Sequence, residues 1–401
     1  MASNEARFLI INGGSSSIKF AIYRIGSTLE RELHGMIERI GREGTTLSFS
    51  TPTRDLQEQR NVPVPAQLTA VDFLVQWLAQ ERTSNGLCAI GHRVVHGMDR
   101  VGPEIVTSTV LDDLRGSIPC DPEHMPMTVD LIEACARQHP DLPQIVCYDT
   151  TFHHDMPSLA KLLPLPRRLA AKGVRRYGFH GLSYAYLMEE LQRLRDPSAT
   201  HGRVILAHLG NGASLAAIRD GQSVDTSMGF TPNAGLPMGT RSGDLEPGLA
   251  PYLALVEGLD ADGFQHLVTH EAGLLGISET SSDMRDLLAR QLVDVRAAEA
   301  VAYFCYQTKK WLGAYAAALG GLDTLVFSGG IGESSSEVRA SICRDLDFMS
   351  IVVDGERNKN SDGVISAPGA PVTIRVIAAN EELMIARSIL RLCPVSAEMS
   401  A

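Results

Sequence analysis

The stretch RFLIINGGSSSIKFAIYRIG, residues 7–26, places two strand-like runs around a turn rich in glycine and serine. An apolar run before the turn and an alternating run after it predict a two-stranded hairpin. A plain hairpin needs only about two to five turn residues. Three consecutive hydroxyls and Lys19 therefore indicate a turn that faces a ligand, and phosphate is the ligand they favour. A P-loop does not fit, because Lys19 is followed by Phe20 and a second strand rather than by a helix.

A second stretch, RVILAHLGNGASLAAIRDG at residues 203–221, repeats this pattern about half a chain later. Both stretches read as strand, polar glycine-rich turn, alternating strand, arginine and turn glycine. Chance similarity of two hairpins is one explanation. A duplicated domain, each half opening with a phosphate-facing hairpin, explains both the chain length and the echo. It also predicts a nucleotide between the two halves.

The composition is that of a globular protein without a basic surface. At 401 residues the chain is too long for one ordinary core, and two domains are expected. A formal net charge of −11 argues against general nucleic-acid binding. Seven scattered cysteines, never spaced as CxxC, predict reduced thiols. We find no secretory signal and no membrane-spanning run, so we expect a cytoplasmic protein without a membrane partner.

Strand-like and helix-like runs alternate along the chain, which favours an α/β fold. The predicted strands are 8–12, 18–24, 88–95, 144–148, 203–209, 214–219, 323–328 and 373–378. The predicted helices include 69–82, 127–138, 182–195, 247–257, 296–319, 336–345 and 380–392.

Four further polar stretches stand in apolar surroundings and contain Arg93, His180, Arg241 and a glycine-rich turn. They are GHRVVHG (91–97), RRYGFHG (175–181), GLPMGTRSGDLEPG (235–248) and FSGGIGE (327–333). Alone, each has an ordinary structural explanation, such as an ion pair, a core histidine or a strand–helix turn. Together they supply what phosphoryl transfer needs, because its transition state is stabilised by positioning and by positive charge on the equatorial oxygens.

Nine motifs, all in order, now carry a specific resemblance. They are NGGSSSIKF, HRVVHG, YDTTFH, RRYGFHG, HLGNGAS, GFTPNAGLPMGTRSGDLEP, SSDMRDL, FSGGIGE and NEELMIAR. Through them the sequence resembles the acetokinase family, within the superfamily of acetate and sugar kinases, Hsc70 and actin. The resemblance implies two duplicated ribonuclease-H-like (actin-like ATPase) α/β domains around a central nucleotide cleft. The first would span 1–150 with a C-terminal helix 385–401 returning to it, and the second, nucleotide-binding domain would span 151–384.

The resemblance also implies an activity: reversible, direct in-line transfer of the γ-phosphoryl group of ATP to acetate, giving acetyl phosphate and ADP. Arg93 would hold the acceptor, while His180 and Arg241 would stabilise the transition state. Asp149 carries the family's catalytic aspartate position and would orient the metal, a water or a neighbouring group. A carboxylate is already deprotonated near neutral pH, so the reaction needs no general base.

The cofactors implied are ATP or ADP with Mg²⁺, or Mn²⁺ in its place, and the implied assembly is a homodimer. Asn12 would lie close to the metal and Glu381 would be its carboxylate, with Glu382 as the alternative. The serine turn and the turn at 208–212 would hold phosphates, and two later segments would hold adenosine. The residues assigned to the nucleotide are Ser15, Ser17, Lys19, His208, Leu209, Gly210, Asn211, Gly212, Asp283, Met284, Arg285, Gly330, Ile331, Gly332, Glu333 and Ser334.

The chain departs from the family pattern beside the acceptor. Family members read PLHNP where this chain has PEHMP at 122–126. The family's leucine helps to form an apolar pocket whose other walls, Val95 and Pro232, are retained here. Glu123 would place a second anion near the substrate unless it faces solvent. The other departures are Met98, Leu182, Tyr184 and Ser334.

These departures leave the acceptor open, and three alternatives follow. One is a kinase for propionate, butyrate or another short acid. Another is a non-catalytic nucleotide-dependent regulator on the same fold, which the presence of Arg93, Arg241 and His180 argues against. The third is a sugar kinase, which needs a base to deprotonate a hydroxyl.

Overall fold

A computed structural model describes residues 6–14, 17–38, 40, 45–51, 54–61, 67–80 and 86–393. They form an α/β fold with two mixed sheets, as the sequence predicts. The chain divides into two compact units. The first unit is Met1–Thr151 with Asn380–Ala401, and the second unit is Phe152–Ala379.

The described strands include every strand predicted from the sequence, with ends shifted by one or two residues. They are β1 (Arg7–Gly13), β2 (Ser17–Ile25), β3 (Leu29–Glu38), β4 (Thr46–Thr51), β5 (Arg54–Asn61), β6 (Leu87–Val94), β7 (Glu104–Ile105), β8 (Gln144–Tyr148), β9 (Arg203–Leu209), β10 (Ala213–Arg219), β11 (Gln222–Thr226), β12 (Thr324–Ser328) and β13 (Thr373–Val376). The sequence reasoning missed β3, β4, β5, β7 and β11.

The seven predicted helices are likewise confirmed, among shorter ones that were not predicted. The helices are α1 (Gln67–Gln80), α2 (Ser108–Gly116), α3 (Met125–Gln138), α4 (Ser158–Lys161), α5 (Arg167–Ala170), α6 (Gly181–Arg193), α7 (Leu249–Val256), α8 (Ala261–His266), α9 (Gly273–Ser278), α10 (Met284–Arg290), α11 (Val295–Leu319), α12 (Gly329–Ser334), α13 (Ser336–Cys343), α14 (Gly355–Lys359) and α15 (Glu381–Leu392). Within the described ranges, none of them combines the length and the apolar character that crossing a bilayer requires.

The sheet of the first unit has the order β5-β4-β3-β2-β1-β6-β8-β7. β1 and β2 form the predicted antiparallel hairpin, while β1, β6 and β8 run parallel. Residues 8–13 of β1 are buried throughout, as expected for a central strand covered on both faces. Parallel strands end at the same sheet edge, so the last residues of β1, β6 and β8 come together there.

The sheet of the second unit has the order β11-β10-β9-β12-β13. β9 pairs antiparallel with β10 and parallel with β12, and β12 pairs parallel with β13. This is the arrangement of β3-β2-β1-β6-β8 in the first unit. The echo between residues 7–26 and 203–221 therefore reflects a duplicated five-strand core.

Helix α15 packs on the first sheet through a glycine. A Cβ added at Gly91 of β6 would lie only 2.4 Å from Ile385 Cγ2 and 2.8 Å from Ile389 Cδ1. Asn380 begins the helix by accepting a hydrogen bond from the backbone N of Leu383 at 3.1 Å. The close contact and the cap together fix Glu381, in the first turn of α15, near the ends of β1 and β6.

Candidate active site

The first group of candidate residues lies where β1, β6 and β8 end. Arg93 donates from Nη2 to Asp149 Oδ2 at 2.5 Å and from Nε to the same oxygen at 3.1 Å. Its Nη1 donates to Asn12 Oδ1 at 3.1 Å. Asn12 Nδ2 in turn donates to Glu381 Oε2 at 3.0 Å. We name Asn12, Arg93, Asp149 and Glu381 the carboxylate cluster.

Charge in the carboxylate cluster is paired and largely removed from water. Asp149 is fully buried, and the side chain of Arg93 is 15% exposed. Burial alone would lower the pKa of Arg93, but the charges of Asp149 and Glu381 outweigh it, so the pKa is raised well above its ordinary value. Arg93 is therefore a permanent cation. One cation and two ionised carboxylates leave one negative charge in excess.

Arg93 keeps part of its hydrogen-bonding capacity. A guanidinium has five N–H donors. Among the described residues, the bonds to Asp149 and Asn12 use the Nε–H, one donor on Nη2 and one on Nη1. One donor remains on each terminal nitrogen, and this fork suits a carboxylate. Because Asp149 holds the other edge of the guanidinium, its orientation is set before a ligand arrives.

The second group of candidate residues lies in the second unit. His180 immediately precedes α6 with a left-handed backbone, φ 60°. Its Nδ1 lies 2.8 Å from Ser214 Oγ on β10. The ring centroids of His180 and His208 are 4.5 Å apart, and His208 Nδ1 lies 2.8 Å from Ser183 Oγ. The imidazole of His180 is thus held from two sides.

Arg241 and His180 face one backbone corner. A Cβ added at Gly212 would lie 3.2 Å from Arg241 Nη2 and 3.2 Å from His180 Nε2. Arg241 Nη1 donates to the carbonyl of Pro232 at 2.9 Å, which anchors the guanidinium. A glycine at 212 therefore lets both nitrogens approach the backbone without meeting a side chain of residue 212. We name His180, Gly212, Ser214 and Arg241 the histidine cluster.

Two glycine-rich turns end the neighbouring strands β9 and β12. A Cβ added at Gly210 would lie 3.7 Å from the backbone N of Gly330, and one at Gly330 would meet no described atom within 4 Å. In the turn after β12, Glu333 accepts a hydrogen bond from the backbone N of Gly329 at 2.8 Å. Leu209 is buried, so it offers a ligand only its backbone. Gly210 and Gly330 therefore present backbone to a ligand.

A buried arginine holds the backbone of the turn after β12. Arg339, fully buried, donates to the carbonyls of Gly332 and Glu333 at 2.8 Å each. Ile331 is half-buried and Ser334 is exposed. In the first turn, Asn211 is exposed and its carbonyl accepts from the backbone N of Gly239 at 3.1 Å.

The three residues assigned to adenosine begin α10. Asp283 caps the helix, accepting from the backbone N of Arg285 at 2.8 Å, and its other oxygen pairs with the Arg285 side chain at 2.6 Å. This hydrogen bond lowers the pKa of Asp283. The Arg285 side chain is 89% exposed. Met284 is buried, so only its backbone can face a ligand.

The residues predicted on the first hairpin are placed as follows. Ser15 lies outside the described residues, and so do residues 394–401 of the predicted returning helix. Ser17 opens β2 half-buried, and Lys19 is exposed opposite Asn12. Lys19 and Glu382 line one groove of about 240 Å³. Glu381, rather than Glu382, contacts Asn12.

The residues around the expected acceptor pocket are placed as follows. Val95 and Pro232 are buried, and Glu123 is half-buried. His124 Nδ1 lies 2.9 Å from Asp121 Oδ1. Within the described ranges, no group of three or more His, Cys, Asp or Glu side chains is placed to hold a metal ion.

Sequence reasoning gave no role to two hydroxyls behind His180. Tyr184 is fully buried, and its hydroxyl lies 2.5 Å from Ser214 Oγ. The signal was present in the second hairpin, because Ser214 is a polar residue two positions after Gly212 on a strand whose first six residues are buried.

Comparisons with known proteins agree over nearly the whole chain. The sequence model of the Acetokinase family matches residues 7–387. An acetate kinase from Rhodopseudomonas palustris is 42% identical over 391 residues, covering 96% of this chain and 98% of the relative. An acetate kinase from Clostridioides difficile is 38% identical over 396 residues, covering 96% and 99%.

Solved structures give the same result. The crystal structure of Porphyromonas gingivalis acetate kinase matches with a TM-score of 0.86 at 36% identity, covering 96% of this chain and 99% of that one. A propionate kinase from Francisella tularensis matches with a TM-score of 0.88 at 34% identity, covering 96% and 98%. The expected duplicated actin-like ATPase fold is thereby confirmed. This chain belongs to the acetokinase family.

Proposed function

We propose that this chain transfers the γ-phosphoryl group of ATP reversibly to acetate, giving acetyl phosphate and ADP. Family membership over residues 7–387 supports this activity. The observation that carries it within the chain is the approach of Arg241 Nη2 and His180 Nε2 to Gly212, each 3.2 Å from an added Cβ. Two nitrogens that converge beside one glycine suit the oxygens of a transferring phosphoryl group.

Arg93 is proposed to bind the acceptor. Its remaining terminal N–H donors match a carboxylate, and Asp149 fixes their direction. Acetate is already an anion, so one carboxylate oxygen attacks phosphorus as the bond to the β-phosphate oxygen breaks. Asp149 then acts by orienting Arg93 rather than by accepting a proton. Val95 and Pro232 are proposed as the apolar walls for the methyl group.

His180 and Arg241 are proposed to stabilise the transition state. Positive charge and hydrogen bonds aimed at the equatorial oxygens are the main source of catalysis in phosphoryl transfer. Arg241 supplies the permanent charge, and His180 supplies a directed N–H. Their anchors, Pro232 and Ser214, hold both groups before substrate binds.

Asn12 and Glu381 are proposed to hold Mg²⁺, or Mn²⁺, together with phosphate oxygens and water. The chemistry of the site fits such an ion, because both side chains offer oxygen ligands and the carboxylate cluster has one negative charge in excess. When bound, the ion would supply positive charge that offsets the charge of the phosphates. The chain's own residues orient those ligands through the bond between Asn12 and Glu381.

The glycine turns at 210–212 and 329–332 are proposed to bind the nucleotide phosphates by close backbone approach. His208 and Asn211 belong to the same turn, and Ser15, Ser17 and Lys19 are proposed to meet phosphate from the first hairpin. Asp283, Met284 and Arg285 are proposed to contact adenosine with residues 330–334. The exposure of Gly330 and the buried brace behind it support this assignment.

A homodimer in the cytoplasm is the proposed form of the protein. Helix α7, LAPYLALV, is almost wholly apolar and has no buried residue, and its Leu255 is 84% exposed. An apolar surface of this kind is typical of a protein contact. All seven cysteines are free thiols, as a reducing compartment would keep them. Light scattering should give twice the chain mass of 43.3 kDa.

The test is trapping of acyl phosphate as hydroxamate, with ATP, Mg²⁺ and a series of unbranched acids. We expect kcat/KM to be highest for acetate. A maximum at propionate or butyrate would establish the alternative acceptor, which the similarity to a propionate kinase keeps in view. Nucleotide binding without acyl phosphate from any acid would contradict the proposal and favour a non-catalytic regulator.

A further inference from the structure

A continuous hydrogen-bonded line of three buried groups runs from Tyr184 into the histidine cluster. The Tyr184 hydroxyl lies 2.5 Å from Ser214 Oγ, and Ser214 Oγ lies 2.8 Å from His180 Nδ1. Tyr184 and Ser214 are fully buried, and His180 is 9% exposed. The line ends at the imidazole nitrogen opposite Nε2, the nitrogen that faces Gly212 and Arg241.

The number of protons in this line limits its possible states. Each hydroxyl carries one proton. If Tyr184 donates to Ser214, the proton of Ser214 goes to His180 Nδ1, and a neutral imidazole then carries its own proton on Nε2. If Nδ1 donates to Ser214 instead, a neutral imidazole has only a lone pair on Nε2 and cannot donate to an anion.

The surroundings of Nε2 make this choice matter. The guanidinium of Arg241 faces the same corner, and a neighbouring cation favours a lone pair on Nε2 over a proton. The hydrogen bond made by one ring nitrogen decides the protonation of the other. A phenol is a better donor than an aliphatic hydroxyl, so the line is expected to run from Tyr184 toward His180.

We propose that Tyr184 is a positioning residue that, through Ser214, holds His180 in the tautomer with its proton on Nε2. This inference rests on the proposed function, in which Nε2–H donates to the transferring phosphoryl group. Tyr184 stands where the family pattern has histidine. A histidine there has a ring N–H that can also donate to Ser214, so this chain performs the same task with a phenol.

Other ionisable groups around this line belong to neighbouring elements. His208 on β9 lies beside the His180 ring, and Arg241 faces Nε2. The ring of His153 packs edge-on against Tyr184, with centroids 5.6 Å apart. Burial lowers the pKa of His153 to about 4, so it stays neutral from pH 5 upward.

The inference is tested first on the unmodified protein, by ¹⁵N NMR of histidine-labelled chain near pH 8. The His180 signals are assigned as those lost in His180→Gln. We expect a protonated Nε2 and an unprotonated Nδ1. A proton on Nδ1 would overturn the inference, and this measurement needs no variant of Tyr184.

The second test is the turnover and the histidine tautomer of Tyr184→Phe. Without the phenol, Ser214 can accept from Nδ1–H, so Nε2 loses its proton. We expect kcat at pH 8 to fall by about tenfold to a hundredfold, with both KM values within about twofold. In the ¹⁵N spectrum of this variant, the His180 proton should lie on Nδ1 instead of Nε2.

Two companion variants separate positioning from packing. Tyr186→Phe, two residues along α6 and partly buried against the same core, should keep the wild-type turnover and the wild-type His180 tautomer. Tyr184→His should restore much of the lost activity. A Tyr184→Phe variant that loses turnover while His180 keeps its proton on Nε2 would overturn the inference. If wild type forms no acyl phosphate but has the Nε2–H tautomer, the proposed function fails while the positioning role stands.

Discussion

The two units share a five-strand core, but different kinds of residue stand where its central strands end. Where β1 and β6 end, Asn12 and Arg93 are locked in paired charges and hydrogen bonds. Where β9 ends, His208 is followed by the glycine-rich turn at 210–212, and a second such turn at 329–332 follows β12. Gly210 and Gly330 present backbone at this edge. A duplicated scaffold thus keeps its strand order while its strand ends diverge, as expected when function is carried by sites grafted onto a fold.

The difference predicts how substitutions in the carboxylate cluster and in the histidine cluster affect stability and activity. Removing Arg93 from the carboxylate cluster takes a cation away from the buried Asp149, which costs stability as well as activity. Arg241 in the histidine cluster is only partly buried, so its removal is expected to cost mainly activity. The predictions below test this contrast, starting with the largest effect.

Arg93→Met should produce the largest loss of stability. Asp149 is fully buried, and without Arg93 it loses the cation that bonds its carboxylate. We expect the free energy of unfolding to fall by about 3–5 kcal/mol, measured by urea denaturation. The double variant Arg93→Met/Asp149→Leu should recover most of this loss but no activity. A single variant as stable as wild type would remove the contrast between the edges.

Arg241→Leu should lower kcat by about a hundredfold to a thousandfold, because its interaction strengthens as charge develops in the transition state. Its side chain is only partly buried and is anchored by a bond to a backbone carbonyl. The free energy of unfolding should therefore change by less than about 1.5 kcal/mol. Near-native turnover in this variant would exclude Arg241 from the mechanism.

Gly91→Ala should displace α15 and with it Glu381. The added Cβ would meet Ile385 at 2.4 Å, and overpacking of this kind costs about 1–3 kcal/mol. Gly313→Ala in α11 is the matched control, because its Cβ would meet no described atom within 4 Å. That change should stabilise the protein by about 0.5–1 kcal/mol. Equal shifts in the two melting temperatures would contradict the packing argument.

Glu123→Leu should have the smallest effect, a change of about tenfold or less in the KM for acetate. If Glu123 lines the acceptor pocket, its charge repels the substrate across a partly dehydrated site. The leucine variant should then lower the KM for acetate and leave the KM for ATP unchanged. Glu123→Gln separates charge from shape. An acetate KM within about twofold of wild type in both variants would show that Glu123 faces solvent.

Much of the fold could be predicted because central strands and long helices have clear patterns. The run Phe8-Leu9-Ile10-Ile11 is buried on both faces and the long helix α11 is amphipathic, and both were recognised from sequence. Strand β3, LERELHGMIE, was missed because it lies farther from the sheet centre and keeps exposed polar residues at several positions. Short elements such as β11 depend on pairing with a neighbour, which periodicity does not reveal.

The site was predictable by residue type but not by contact. Motifs pointed to Arg93, His180 and Arg241, yet they did not reveal that Asp149 grips Arg93 along one edge. Nor did they reveal that Met284 is buried while Arg285 beside it is exposed. Such facts depend on where separate strands end, and sequence spacing does not carry that information.

Steady-state kinetics of Arg93→Lys and Arg241→Lys, with acetate and ATP varied independently, test the division of labour most directly. Both variants keep the charge but lose the guanidinium fork. We predict that Arg93→Lys raises the KM for acetate by about tenfold or more, with the KM for ATP within about twofold. Arg241→Lys should instead lower kcat by about tenfold or more, with the KM for acetate within about threefold. The account would be contradicted if both variants altered the same constant to the same extent.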